Sequence, residues 1–133
     1  MNAVFAIAKS GMQAASLRLD VSASNVANMS SDGPLPDAAN AAAYPPAYAP
    51  QRVDQVEVAG GTAARVTTVS PSYVPAYDPS APYADKNGMV AAPNVDLTNE
   101  VVQQITAAYE FAANARVLQT ASQMMKTLLD IKA

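Results

Sequence analysis

Proline placement constrains this chain more than any other feature. All ten prolines fall between Pro34 and Pro93, and none lies in residues 1–33 or 94–133. A proline inside a helix costs roughly 3 kcal/mol, through its missing N–H and its clash with the preceding turn. Both ends of the chain are therefore open to long helices and the middle is not. The apolar spacing agrees. From Asn2 to Met29, Val4, Ala8, Met12, Ala15, Leu19, Ala23 and Val26 recur three or four residues apart, which is one face of an α-helix. At 1.5 Å per residue this helix reaches about 40 Å. Gly11 interrupts it at a small cost in propensity, and a glycine there also admits a second helix at close range.

The C-terminal zone opens at Asp96, an N-cap residue type, with Glu100 in the first turn, where the helix dipole favours an anion. Val101, Ile105, Ala108, Ala112, Ala115, Leu118, Ser122, Met125 and Leu129 then follow at helical spacing, with Lys126 and Lys132 near the end that favours cations. In the middle zone, residues 34–50 are rich in proline, alanine and tyrosine and read as extended or irregular. Residues 52–58 and 63–69 are β-prone and flank Gly60-Gly61, the pattern of a short hairpin. Residues 71–93, with five prolines and the turn-like Asp85-Lys86-Asn87-Gly88, read as an ordered loop or a small β module. The expected fold is mainly α. Long N- and C-terminal helices pack as an α-helical hairpin or coiled coil, with a Pro-rich loop and a small β-hairpin module between them. The expected units are residues 1–29, 30–93 and 94–133.

Composition says how well such a fold can hold itself together. Half of the chain is nominally apolar, but 29 of those residues are alanine, which buries little area. A core built from this chain alone is thin, which favours stability gained by assembly. Small residues also occur off the main stripes (Ala14, Ser16, Ala27, Ala107, Ala113, Thr120, Ala121), and they suit close contacts on several faces. Neutral polar residues such as Gln103, Gln104, Asn114, Gln119 and Gln123 can hydrogen-bond across such contacts without burying charge. The competing reading is a self-contained helical hairpin whose two stripes satisfy each other.

The chemistry available is narrow. Cysteine and histidine are both absent, which removes disulfides, Cys/His metal sites, thiol nucleophiles and histidine-based triads. Net charge is −3 and the basic residues are scattered singly, so nucleic acid and anionic lipid lack an electrostatic footprint. No segment approaches the length of a membrane span, and the short apolar run Ala3–Ala8 followed by Lys9 does not fit a cleaved secretory signal. Asp85, Asn87 and Gly88 can be set at positions three, five and six of a calcium loop. Tyr83 and Asn94 then occupy the first and twelfth positions, where carboxylates are needed, so a plain turn is the better reading. Gly60-Gly61 lacks a phosphate-loop pattern, and Asp54 and Glu57 read as solvated strand residues. No catalytic residue, cofactor or metal is expected.

Three stretches carry a family resemblance. Ser10-Gly11-Met12, followed by a run ending in Ser24-Asn25-Val26-Ala27-Asn28, resembles the N-terminal signature of flagellar rod proteins. Asn94 to Glu100, with a helix ending Met124-Met125-Lys126-Thr127-Leu128-Leu129-Asp130-Ile131, resembles the C-terminal helix shared by rods and hooks. The block from Tyr77 to Val95 is similar to the DP-x-x-P-x-AD-x-x-G-x-V-x-x-PNV passage of proximal-rod members of that family. Residues 29–50 depart from it: where the family commonly has an NT-x-T-x-GGPY-like passage, this chain is rich in alanine and proline. The departure bears on the path of that loop and not on the family.

The resemblance implies a structural subunit of the bacterial flagellar basal-body rod. Its partners would be copies of itself, other proximal and distal rod proteins, and the flagellar type III export apparatus. It would be exported without signal cleavage and assemble helically in a rod spanning the periplasm, to carry torque from motor to hook. Neither nucleic-acid binding nor direct membrane insertion is implied. The expected assembly residues are Gly11, Met12, Ala15, Leu19, Val26, Val101, Ile105, Ala108, Ala112, Ala115, Leu118 and Met125. The alternative is a secreted coiled-coil partner or export chaperone that does not polymerise. An enzyme stands a distant third, because no carboxylate or lysine motif supports one.

Overall fold

The computed structural model describes the backbone of residues 2–132 and the side chains of residues 2–130. Met1, Ala133 and the side chains of Ile131 and Lys132 lie outside the described residues, and with them the dipole role expected of Lys132. Two helices dominate: α1, Asn2–Ala27, and α2, Leu97–Lys132. Asp96 caps α2, its Oδ1 accepting the amides of Thr98 (2.9 Å) and Asn99 (3.3 Å). The cap satisfies donors that no helical carbonyl can reach. The helices run antiparallel. Asn25 meets Glu100, Arg18 meets Glu110 and Gly11 meets Asn114, so numbering falls along one helix as it rises along the other.

A small two-sheet antiparallel β module lies between them. Residues 28–50 run through turns, with one 3-10 turn at Ala41–Ala43. The first ribbon pairs β1, Gln51–Val58, with β2, Gly61–Thr68, in a register from Gln51↔Thr68 to Val58↔Gly61. The turn is therefore Ala59-Gly60, and β2 begins two residues earlier than the sequence pattern suggests. Gly61 belongs to the strand because its φ of 145° suits glycine, and any side chain there would run into the Ser10 hydroxyl.

The second ribbon pairs β3, Tyr73–Tyr77, with β4, Met89–Pro93. Pro75 and Pro93 disguise it in the sequence. In a two-stranded sheet each strand has an unpaired edge, so a proline can sit where no ladder hydrogen bond is lost. Gly33 and Ala91 exchange amide hydrogen bonds of 2.9 and 2.8 Å, which folds the chain after α1 against β4. Val90, Ala91, Pro34, Pro50 and Pro93 are buried in this region.

The β1–β2 ribbon lies along α1. Its tip is held where the Thr62 amide donates to Ser10 Oγ (3.1 Å), and its base where Gln51 meets Asn25. From Ser10 to Asn25 the helix rises about 22 Å, and from Gln51 to Glu57, which faces Thr62, the strand spans about 20 Å, so the ribbon and that stretch of α1 match in length. Helix α1 is thus flanked by α2 on one side and by the ribbon on another. Among the described residues the buried apolar side chains of the helices are alanine (Ala8, Ala14, Ala15, Ala107, Ala121) apart from Val21, and the β module and its entry add Ala91, Val90 and three prolines. Alanine lets backbones approach closely but removes little apolar surface from water.

Candidate assembly interface

The face of α1 towards α2 carries Ala8, Gly11, Ala15, Arg18, Ser22 and Asn25, alternately three and four residues apart and all buried or half-buried. On α2 the sheltered line is Glu100, Gln104, Ala107, Asn114, Leu118, Ala121 and Met125, with Phe111 filling the remaining step at 40% exposure. This seam is small and polar at its centre. At Gly11 an added Cβ would stand 2.7–2.9 Å from the Asn114 amide atoms, so the helices cross here at a distance that only glycine fits without displacing that side chain. Asn114 itself donates to the Glu110 carbonyl (2.9 Å). Arg18 Nη1 pairs with Glu110 Oε2 at 2.7 Å.

At the end of the seam near the ribbon, Asn25 is almost fully buried and joins four segments. Its Nδ2 donates to the Gln51 carbonyl and to Glu100 Oε1, both at 2.7 Å. Its Oδ1 accepts from the Gln51 amide (3.0 Å) and the Tyr48 hydroxyl (3.1 Å). Ser22 Oγ donates to the Glu100 carbonyl at 3.1 Å. An open cleft of about 440 Å³ lies beside this junction, where Val21 and Arg18 face Pro50, Gln51 and Val53 on one side and Asp96 and Gln103 on the other.

The expected assembly residues divide between two places. Gly11, Ala15, Leu118 and Met125 lie on the seam, and Met12, Val26 and Ala115 are half-buried beside it. Leu19, Val101, Ile105, Ala108 and Ala112 are exposed in this chain, so pairing of α1 with α2 does not use them. The physical reason is helical phase. A line read at mixed spacings of three and four from Val101 has turned by on the order of 120° when it reaches Met125. It therefore starts on the side of α2 away from α1 and ends on the seam. On α1, the large residues Val4, Met12, Leu19 and Val26 mark one border of the buried arc, whose centre is alanine, serine, arginine and asparagine. Ranking positions by apolar size misses Arg18, Ser22, Asn25 and Glu100 as seam residues, and it finds Asn114 only as a polar residue suited to helix contacts. The signal for them is a strict 3-4 spacing kept in phase along each helix, from Ala8 to Asn25 on α1 and from Glu100 to Met125 on α2.

The side of α2 away from α1 carries a run of exposed apolar residues. Val101, Val102, Ile105 and Tyr109 lie along it with Ala112, and Val102, Ile105 and Tyr109 are 53%, 52% and 74% exposed. Nearer the C-terminus Met124, Leu128 and Leu129 are exposed as well. No helix among the described residues is long and apolar enough to cross a membrane.

Asp85, Asp78 and Asp54 are each engaged in local structural hydrogen bonds. Asp85 Oδ1 accepts the amides of Met89 (2.8 Å) and Asn87 (2.7 Å), and these bonds hold its carboxyl below the usual range. Asp78 accepts from Ser80 Oγ (2.6 Å) and the Ser80 amide (3.0 Å), with the same effect. Asp54 accepts from Thr67 Oγ1 (2.8 Å) and pairs with Arg52 at 3.2 Å on the surface. Among the described residues no group of three or more acidic side chains converges as a metal site would require.

Comparison with known proteins gives the same answer at both ends of the chain. The family described as "Flagella basal body rod protein" matches residues 5–34, and that described as "Flagellar basal body rod FlgEFG protein C-terminal" matches residues 86–131. The flagellar basal-body rod protein FlgC of Salmonella typhimurium is 40% identical over 132 residues, covering 94% of this chain and 93% of the relative. FlgC of Escherichia coli O6:H1 is 39% identical over the same shares, and that of Borreliella burgdorferi is 32% identical over 143 residues. The helix pair, the block between β3 and α2 and these relatives agree: the chain belongs to the flagellar basal-body rod proteins and is FlgC-like.

Proposed function

We propose that this chain is a repeating structural subunit of the proximal rod, assembling helically with copies of itself and with other proximal and distal rod proteins. The observation that carries this reading is the apolar side of α2 from Val101 to Ala112, left open on a chain whose own core is mostly alanine. An exposed line of this kind is covered when subunits associate. The α1–α2 seam then acts as a short antiparallel coiled coil, with the heptad spacing that such a pair requires. The Pro-rich passage before β1 serves as the loop that returns the chain to the ribbon. Pairs of terminal helices line the inner wall of the tube, and the rod carries torque from motor to hook across the periplasm. Export through the flagellar type III apparatus without signal cleavage suits a thin core, since a chain with little buried apolar area unfolds at low cost. The role is mechanical, with no catalytic step, nucleic acid or membrane insertion.

Ala112 supplies the test. It is exposed in the single chain, so Ala112→Trp leaves the fold intact while filling space a neighbour needs. The variant is expected to reach the export apparatus and be secreted, yet to leave cells non-motile and basal bodies without a complete rod. Wild-type swimming in that strain sinks the interface, and a soluble complex with one client and no place in purified basal bodies points instead to a chaperone.

A further inference from the structure

Asn25 is 1% exposed, and other segments use all of its hydrogen-bonding capacity. One amide hydrogen goes to α2 through Glu100 and the other to the first residue of β1, Gln51. The amide oxygen takes the Gln51 N–H and the Tyr48 hydroxyl, which belongs to the loop entering the ribbon. One turn earlier Ser22, 2% exposed, adds a second grip on Glu100.

We propose that Asn25 is a joint that makes the seating of α2 on α1 and the docking of the β1–β2 ribbon one cooperative event. If either element leaves alone, the sheltered amide keeps part of its burial and loses part of its bonding, the costly situation for a polar group. Half-closed states therefore lie above both the closed and the open chain. The ribbon needs such a joint. A two-stranded ribbon is marginal in water, Val56 and Val58 on it are exposed, and its tip is tied to α1 by the Thr62 amide donating to Ser10 Oγ. Elastic coupling between helix pair and β module then follows from one side chain. This inference concerns contacts within one chain and does not depend on the rod reading.

Hydrogen exchange on the full chain at low concentration tests it, with Glu100 as the lever. Glu100 sits on α2 and makes no hydrogen bond to the ribbon itself, so its removal reaches the ribbon through Asn25. Glu100→Ala is expected to speed amide exchange across β1 and β2 about tenfold, the consequence of one buried partner lost. Glu100→Gln keeps an acceptor oxygen in place and is expected to stay within about threefold of the parent. Tyr48→Phe removes a second partner and speeds exchange in both β1 and the first turns of α2. The joint is overturned if the effect of Glu100→Ala stops at α2, if the Gln and Ala variants behave alike, or if the parent ribbon exchanges as fast as an unfolded chain. Asn25→Ala speeds both elements together if the chain still folds, and if it does not, the two Glu100 variants decide.

Discussion

Gly11 shows how closely single side chains set the helix crossing. Two effects oppose each other on adding a methyl group there: helix propensity improves by about 1 kcal/mol, while Asn114 must leave a position in which it bonds the Glu110 carbonyl. Gly11→Ala is therefore expected to be near neutral in urea denaturation. Gly11→Leu has no such balance and is expected to cost about 1–3 kcal/mol by overpacking. Asn114→Ala in the same chain should recover part of that loss, and no recovery would place the strain elsewhere. Asp85 and Asp78 act at the same scale. Both carboxyls are held below the ordinary range by hydrogen bonds from Met89 and Ser80 respectively. A carboxylate depressed in the folded state contributes stability that is present above its unfolded pKa and lost as pH falls through its folded pKa. The lobe from Asp78 to Met89 is thus expected to loosen below about pH 4. The amide resonances of Asn87 and Met89 should shift there in an acid titration, and should not in Asp85→Asn.

Among elements, the N-cap of α2 offers the most direct measurement. Asp96→Ala removes both side-chain bonds to the first turn and is expected to cost about 1 kcal/mol. Asp96→Ser should recover most of it, as read from the urea midpoint, and equal losses in both would mean that the cap is not what stabilises that turn. The cap was legible in the sequence because its rule is local: an aspartate, then a helical run. Both helices and the first ribbon were legible for the same reason, through proline exclusion and the Gly60-Gly61 punctuation. The β3–β4 ribbon was less so, because its prolines break the alternation that marks a strand. Only pairing shows that they sit at unbonded edges. The Gly33–Ala91 bridge had no local signal at all, since it joins residues far apart in the chain through backbone atoms alone.

For the whole molecule, the candidate surface is visible in the sequence, but which of its residues meet the partner helix of the same chain is not. Val101 and Ile105 stand out by size and spacing and Ala112 by spacing, and spacing alone cannot say whether a neighbour comes from the same chain or another. The seam inside the chain is small and polar where Asn25, Glu100 and Asn114 sit and takes larger residues only towards the C-terminus of α2, at Phe111, Leu118 and Met125, whereas Val101, Val102, Ile105 and Tyr109 face outwards. That division makes self-association and folding separable by mutation. Ile105 is half exposed and belongs to the outward side, so Ile105→Asp should change the isolated chain by no more than about 0.5 kcal/mol, as surface substitutions do. In the parent chain, association through that side binds only folded protein, so the thermal midpoint should rise with protein concentration. In Ile105→Asp the midpoint should match the parent at the lowest concentration and stay flat as concentration increases. A parent midpoint that is itself flat over a hundredfold range would show that this side does not bring copies together. A variant that melts early even when dilute would show instead that Ile105 supports the fold of the single chain.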